Sequence, residues 1–169
     1  MSQTNSKQTA KSKSAMPPVM HDAIALLIDD HKKVKKMFKQ FEKLKESSGS
    51  NGEKAGLVEK ICHELTVHAT VEEEIFYPAV RAAIDNNDLV DEAEVEHAEV
   101  KKLISQLEDM EPEDDKYDAI VKVLGENIDH HVEEEQNEMF PQAKESSLDM
   151  ADLGMQIMAR KNELEDEND

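Results

Sequence analysis

The chain has 169 residues, a length that suffices for one domain with a well-buried core. A formal net charge of −19, from 39 acidic against 20 basic residues, disfavours binding to nucleic acid or to an anionic membrane surface, and there is no run of about 18 apolar residues that would predict a membrane span. Because the first fifteen residues contain no apolar signal segment and Cys62 is the single cysteine, we expect a cytoplasmic protein without an internal disulfide.

The first half of the chain predicts a polar tail and two long helices. Residues 1–18 are rich in Ser, Thr, Gln and Lys and predict a disordered tail. Beyond them, apolar residues recur at intervals of three and four, which predicts one helix over about 22–46 and another over about 53–84. Pro78 is expected to kink the second helix or to end it near Phe76, since proline lacks the amide hydrogen that a helix interior uses.

The second half predicts two more long helices and a short one. After a polar break, the third helix extends to about Asp109, and the fourth spans about 116–140, where Pro141 is expected to close it. A shorter helix over about 148–164 precedes the acidic tail 165–169.

Together these elements predict an all-α fold. Four long helices joined by short loops pack as an antiparallel up-down four-helix bundle, here with a short C-terminal helix. The predicted domain covers residues 19–164.

Six side chains of types that commonly bind metals lie in the apolar stripes of the four long helices, where a helix bundle normally has leucine. They are His31, His68, Glu72, His97, His131 and Glu135. The pattern is doubled, because an H-x-x-V-K-K stretch followed by an H-x-x-x-E pair occurs in each half of the chain. Residues four apart share one face of a helix, and burying two carboxylates without partners would cost several kcal/mol. A shared pair of cations would compensate this cost, so the sequence predicts a two-metal site inside the bundle.

A simpler interpretation is that each histidine is an ordinary core residue. That explanation suits a single histidine on an apolar face, but it accounts poorly for one histidine on each of four helices with two matched glutamates. Four imidazoles and two carboxylates exceed the ligands of one tetrahedral zinc ion and differ from the oxygen-only shell of calcium or magnesium. A pair of iron or manganese ions bridged by Glu72 and Glu135 fits best, with zinc as an alternative.

His130 is the main ambiguity in the ligand set, because it precedes Glu135 by five residues and could pair with it. Aligning the two repeats on Pro78 and Pro141 favours His131, and the apolar stripe agrees. Among the neighbouring acidic residues, Glu73 and Glu134 are candidate acceptors for the outward N–H groups of the histidines. His63 falls outside the stripe of the second helix and is expected to be solvated.

Five motifs within residues 22–161 together resemble the hemerythrin-like family, the HHE cation-binding domains. The motifs are the His31 helix, the H-x-x-x-E-E-x-x-x-Y-P stretch from His68 to Pro78, the Glu96-His97 pair, the stretch His130-His131-Val-Glu-Glu-Glu135 followed by Phe140-Pro141, and the tail segment from Leu153-Gly154 to Met158-Ala159-Arg160-Lys161. The resemblance implies a non-haem di-iron centre in a four-helix bundle that meets dioxygen or related small oxidants. It implies that the four stripe histidines are terminal ligands and that Glu72 and Glu135 bridge the two metals.

The chain departs from the oxygen-carrying hemerythrins at two positions. Those proteins have a second histidine one turn before the position of His97, where this chain has Ala93. Their last ligand pair is H-x4-D, whereas His131 and Glu135 are separated by three residues here. One imidazole fewer leaves an open coordination position. This difference argues against stable reversible oxygen carriage and favours a site that reacts or senses.

Three functions remain open at this point. The chain is expected to bind, sense or buffer iron and small oxidants (O₂, NO or peroxide); the alternatives are a di-iron enzyme that decomposes hydrogen peroxide or a related oxidant, and a helical interaction module with a structural metal. Tyr77 is the only aromatic hydroxyl close to a predicted ligand stretch, and it is expected to be structural. The sequence identifies no protein partner and does not decide whether turnover occurs.

Overall fold

The fold is known from a computed structural model, which describes residues 22–47 and 50–168. These residues form helices and connecting turns without a β-strand, which confirms the all-α prediction. The predicted disordered tail, residues 1–18, lies outside the described residues. None of the described helices combines the length and the hydrophobicity that a membrane span requires.

The first two helices begin at side-chain caps. Helix α1 (Ala23–Glu46) follows Asp22, whose carboxylate accepts a hydrogen bond from a first-turn amide at 2.7 Å. Helix α2 (Asn51–Val71) follows Ser50, whose hydroxyl does the same at 3.1 Å. Such caps satisfy amides that have no partner within the helix.

Helix α2 continues through a wider turn instead of ending at its proline. A π-helical turn (Glu72–Phe76) joins α2 to helix α3 (Tyr77–Ala83), and Pro78 lies in the first turn of α3. The irregularity expected near Phe76 is therefore this π-helical turn. Proline is tolerated in a first turn because its missing amide hydrogen needs no partner there.

The second half of the chain repeats this construction. Helix α4 (Asn87–Glu108) precedes helix α5 (Tyr117–Glu134), which passes through a second π-helical turn (Glu135–Met139) into helix α6 (Phe140–Glu145). The prediction that Pro141 closes the fourth helix is wrong, since the helical path continues beyond it. The physical reason is the same as at Pro78: the wider turn precedes the proline, which then starts a new helical segment.

Helix α7 (Met150–Asp166) corresponds to the predicted C-terminal helix and extends into the predicted acidic tail. It packs against α1, α2 and the first π-helical turn, so the described chain has a fifth helix within the bundle. Its Leu153 and Ile157 are buried in the core.

The core consists of two apolar clusters, and the predicted ligands lie between them along each long helix. On α1, for example, Leu27 belongs to one cluster and Val34 to the other, with His31 between them. On α2, His68 likewise lies between residues of the two clusters, Leu65 and Val71. The same order holds for the histidines of α4 and α5. The fold thus places a polar layer in the middle of an apolar bundle.

Candidate metal centre

All six side chains predicted as ligands are buried in this polar layer. Glu72 and Glu135 are the most enclosed, with 0% and 1% of their surface exposed. The structure forms two groups in which potential ligand atoms lie within 4.8 Å of one another. The groups are His31, His68, Glu72 and Glu135, and Glu72, His97 and His131. We call them the first and the second group.

Each glutamate approaches one histidine of each group. Glu72 Oε1 lies 2.9 Å from Nε2 of His68 and 3.4 Å from Nε2 of His97. Glu135 Oε1 lies 3.2 Å from Nε2 of His31 and 3.4 Å from Nε2 of His131. A carboxylate that contacts donors on both sides has the placement required to bridge two cations.

The two π-helical turns begin at these glutamates. Glu72 is the first residue of one turn and Glu135 is the first residue of the other. Each follows its histidine, His68 or His131, by four residues along a regular α-helix, so both side chains of a pair lie on one face. Local π-helical turns within α-helices frequently occur at functional sites, and here they occur at equivalent positions of the two halves.

The unsatisfied polar atoms of the layer lie mostly in the first group. Within the described part of the chain, six buried side-chain atoms have no hydrogen-bond partner: Nε2 of His31, Nε2 of His68, both carboxylate oxygens of Glu72, Oε1 of Glu135 and Nδ1 of His97. Burying such atoms unpaired is costly. Imidazole nitrogen together with carboxylate oxygen is a donor set that suits iron, manganese and zinc. The residues present therefore fit transition-metal ions.

Three of the histidines are oriented by partners on their outer nitrogen. Nδ1 of His68 lies 2.9 Å from Oδ2 of Asp30, and Nδ1 of His131 lies 2.6 Å from Oε2 of Glu96. Nδ1 of a third, His31, lies 3.0 Å from Oε1 of the Gln136 side-chain amide. An Nδ1–H that donates outward leaves Nε2 free as a ligand atom towards the centre.

Sequence reasoning missed these three orienting residues, although the repeat contains a signal for two of them. Asp30 immediately precedes His31, and Glu96 immediately precedes His97. In each half, the acidic residue before the first histidine binds the second histidine. The predicted acceptors behave differently: Glu73 Oε2 is 3.6 Å from Nδ1 of His97, and Glu134 contacts His130.

Asp30 also connects the site to helix α7. Its other carboxylate oxygen accepts a hydrogen bond from Nζ of Lys161. Burial acts to raise the pKa of Asp30, but the bonds from His68 and Lys161 outweigh it and lower the pKa below its usual value. In the metal-free protein, burial would lower the pKa of His68, yet the carboxylates of Glu72 and Asp30 raise it to about 10. The aspartate is thus held ionised between two cationic or hydrogen-donating groups.

Tyr77 lies inside the site, which goes beyond the structural role expected from the sequence. Its side chain is fully buried, and its hydroxyl donates to Oε2 of Glu135 at 2.7 Å. The hydroxyl oxygen of Tyr77 also lies 3.1 Å from Nε2 of His97 and 3.3 Å from Nε2 of His131. Burial and the carboxylates of Glu135 and Glu72 hold the pKa of Tyr77 well above its usual range, so the hydroxyl stays neutral and can donate.

The structure separates the two candidate histidines of α5. His131 is buried and faces the second group, whereas His130 is exposed and lies 3.2 Å from Glu134. Beside His131, a small cleft of about 10 Å³ is lined by Ala93 and Glu135, among others. Its lining thus includes the position at which the sequence has alanine where the oxygen carriers have histidine.

A family model assigns the chain to a class of protein, the HHE cation-binding domains. The model of the family "Hemerythrin HHE cation binding domain" matches residues 22–143, and the chain belongs to this family. The described structure is similar to a crystal structure of a hemerythrin HHE cation binding domain-containing protein from Mycobacterium kansasii, with a TM-score of 0.70 and 22% sequence identity over 85% of this chain and 86% of that chain. At this identity the likeness shows the fold.

A relative of another description matches part of the chain. A protein from Nostoc sp. (strain PCC 7120) described as a DNA nickase is 32% identical over 81 residues. The match covers 48% of this chain and 23% of that protein. It therefore concerns a minor part of the larger relative.

Proposed function

We propose that this chain is a non-haem di-iron protein that binds, senses or buffers iron and small oxidants such as O₂, NO or peroxide. His31 and His68 would hold one ion, and His97 and His131 the other. The observation that carries the proposal is that Glu72 and Glu135 each contact a histidine of both groups. An antiparallel up-down order of the four long helices is the frame we propose for this site.

Iron is the metal we favour, with manganese and zinc as alternatives. Two buried carboxylates between two pairs of imidazoles combine the oxygen and nitrogen donors that suit iron, and carboxylates from facing helices are used to bridge paired metals in helical bundles. A pair of bound iron ions would supply one-electron redox chemistry towards small oxidants. The protein contributes the enclosed position, the oriented imidazoles and an approach for a small molecule.

The approach is the cleft beside Ala93. Its volume of about 10 Å³ suits a single water-sized species. A histidine at position 93, as in the oxygen carriers, would occupy this space with a further ligand. The smaller residue supports binding of a small molecule at the centre, and it supports sensing or reaction rather than oxygen storage.

Tyr77 favours an enzymatic alternative, namely decomposition of hydrogen peroxide or a related oxidant. Its neutral hydroxyl donates to Glu135 beside the second group, so it holds a proton close to the position where a small oxidant would bind. General acid catalysis by a positioned side chain requires such a proton within hydrogen-bond reach. A helical interaction module with a structural metal is a third alternative.

Metal ions and small diatomic or peroxide ligands are the partners we propose, in a cytoplasmic protein with one cysteine. A net charge of −19 opposes approach to the phosphate backbone of DNA, on which binding largely depends.

The experiment that separates the alternatives adds O₂, NO and hydrogen peroxide in turn to the iron-loaded protein. A reversible change in the near-ultraviolet and visible spectrum with no consumption of peroxide beyond the iron present would support binding or sensing. Repeated turnover of peroxide would support the enzyme. If none of the three oxidants changes the spectrum, both the binding or sensing function and the enzymatic function are contradicted. The helical interaction module with a structural metal would then be the remaining alternative.

A further inference from the structure

A third group of metal-binding side chains lies on the outer surface, where α4 and α5 pack together. Its members are Glu96, His130 and Glu134, and their potential ligand atoms lie within 4.8 Å of one another. Nε2 of His130 is 3.2 Å from Oε1 of Glu134, and both side chains are accessible, with 66% and 37% exposed. One imidazole and two carboxylates within this distance can bind a divalent transition-metal ion.

This outer group is continuous with the buried site. Glu96 belongs to the outer group, and its Oε2 also lies 2.6 Å from Nδ1 of His131. Glu96 and Glu134 line the same small cleft as Glu135. Glu135 Oε1 is fully buried and has no hydrogen-bond partner within the described residues. Potential ligand atoms therefore follow one another from solvent to the interior along one path.

The charge of this path attracts cations. Glu92 joins Glu96, Glu134 and Glu135 among the residues that line the cleft, and the cleft lining contains no lysine or arginine. A cleft lined by charges of one sign raises the local concentration of counter-ions and their rate of entry.

We propose that Glu96, His130 and Glu134 form a loading site that captures a divalent transition-metal ion and delivers it past Ala93 to the buried centre. The inference rests on the proposed metal-binding function. It assigns a role to His130, which is exposed and faces away from the buried ligands. It also gives Glu96 two contacts, one with the arriving ion and one with the histidine that receives it.

The test measures cobalt(II) binding and entry in the metal-free full-length protein. The double variant His130→Ala/Glu134→Gln removes two members of the outer group and leaves Glu96, which orients His131. The matched control is His63→Ala/Glu165→Gln, which removes another accessible histidine–glutamate pair, 3.1 Å apart on α2 and α7. Equilibrium dialysis counts bound cobalt, and stopped-flow visible absorption follows its entry into the buried site.

We expect the wild-type chain and the control to bind about two cobalt ions tightly and one more weakly. The double variant should lose the weak ion and fill the buried site about tenfold more slowly, with the same final occupancy. Entry at the wild-type rate, or persistence of the weak ion, would overturn the loading site while leaving the buried centre intact. Failure of cobalt and iron to enter the buried site of the wild-type chain would instead overturn the proposed function.

Discussion

Asp30 and His68 form a buried pair that links two helices, with Oδ2 of the aspartate 2.9 Å from Nδ1 of the histidine. The pair has a counterpart in the other half of the chain, where Glu96 contacts His131. In both cases the acidic residue comes from the helix that also carries the other histidine of the same half. The residues that orient the histidines therefore occur at equivalent positions of the two repeats. They can be mutated without changing the histidines themselves.

Replacing Asp30 by asparagine should weaken metal binding without removing a ligand. The amide cannot stabilise a donating imidazole as a carboxylate does, and Lys161 loses its ionic partner. Loss of such an outer partner typically lowers metal affinity about 10- to 100-fold. Competition with a chelator would measure the affinity, and Asp29→Asn, the exposed neighbour, is the matched control. Equal affinity in the two variants would show that Asp30 does not orient His68.

Replacing His68 by alanine should remove most of the bound metal and lower the thermal stability of the metal-loaded protein. The variant deletes a buried donor whose Nε2 faces Glu72, and metal that binds only the folded state adds to its stability. His63→Ala, which removes a half-buried histidine outside the polar layer, should keep both properties. Full metal content in the His68 variant would contradict the ligand assignment. Elemental analysis and thermal unfolding on the same samples provide the measurement.

Replacing Tyr77 by phenylalanine should destabilise the metal-free protein, because Glu135 loses its hydrogen-bond donor. A buried acceptor left without its partner costs about 1–3 kcal/mol. If the protein decomposes peroxide, the variant should also turn over more slowly at unchanged metal content. Tyr117→Phe removes the hydroxyl of the other tyrosine, which lies in the second apolar cluster, and it serves as the control. Equal stability and turnover in both variants would assign Tyr77 to packing alone.

Cys62 should react slowly with alkylating reagents in the folded protein. Burial raises the pKa of its thiol from 9.0 to about 11, with a further contribution from Glu108, and the thiolate is the reactive form. Because the folded chain holds this proton more tightly than the unfolded chain, stability from this group is present below about pH 9. It is lost as the pH rises from about 9 to 11.

The measurement for Cys62 is the rate of iodoacetamide labelling of native and denatured protein as a function of pH. The labelling rate of the native chain should begin to rise at a clearly higher pH than the labelling rate of the denatured chain. Cys62→Ala should remove the labelling and reduce the alkaline loss of stability. Equal labelling profiles in the two states would contradict a buried thiol with a raised pKa.

The inward-facing residues could be predicted because they obey helical periodicity. His31, His68 and the other stripe residues occupy positions that must face the core if the helices form at all. The helical path beyond Pro141 could not be predicted from the proline alone, because a wider turn just before it removes the expected break. The same applies at Pro78, which also follows a π-helical turn.

The orienting contacts could not be found by periodicity. Asp30 and His68 are 38 residues apart, and His31 and Gln136 are 105 residues apart. Such pairs depend on how helices are turned and shifted against one another, which local spacing does not specify. The hydrogen bond from the Tyr77 hydroxyl to Glu135 could not be predicted from spacing either, because the two residues lie in different helical segments.

The most direct test of the central claim is the metal content of protein purified from iron-supplemented cells, with a spectrum and magnetic measurements on the same sample. Carboxylates that bridge two ions predict about two iron ions per chain, magnetically coupled, with charge-transfer bands in the near ultraviolet. Glu74→Gln, at an exposed residue that pairs with Arg160, should leave this result unchanged, whereas Glu72→Gln should lose the coupling or one of the ions. A single zinc ion per chain, or two uncoupled iron ions in the wild-type protein, would contradict the bridged centre.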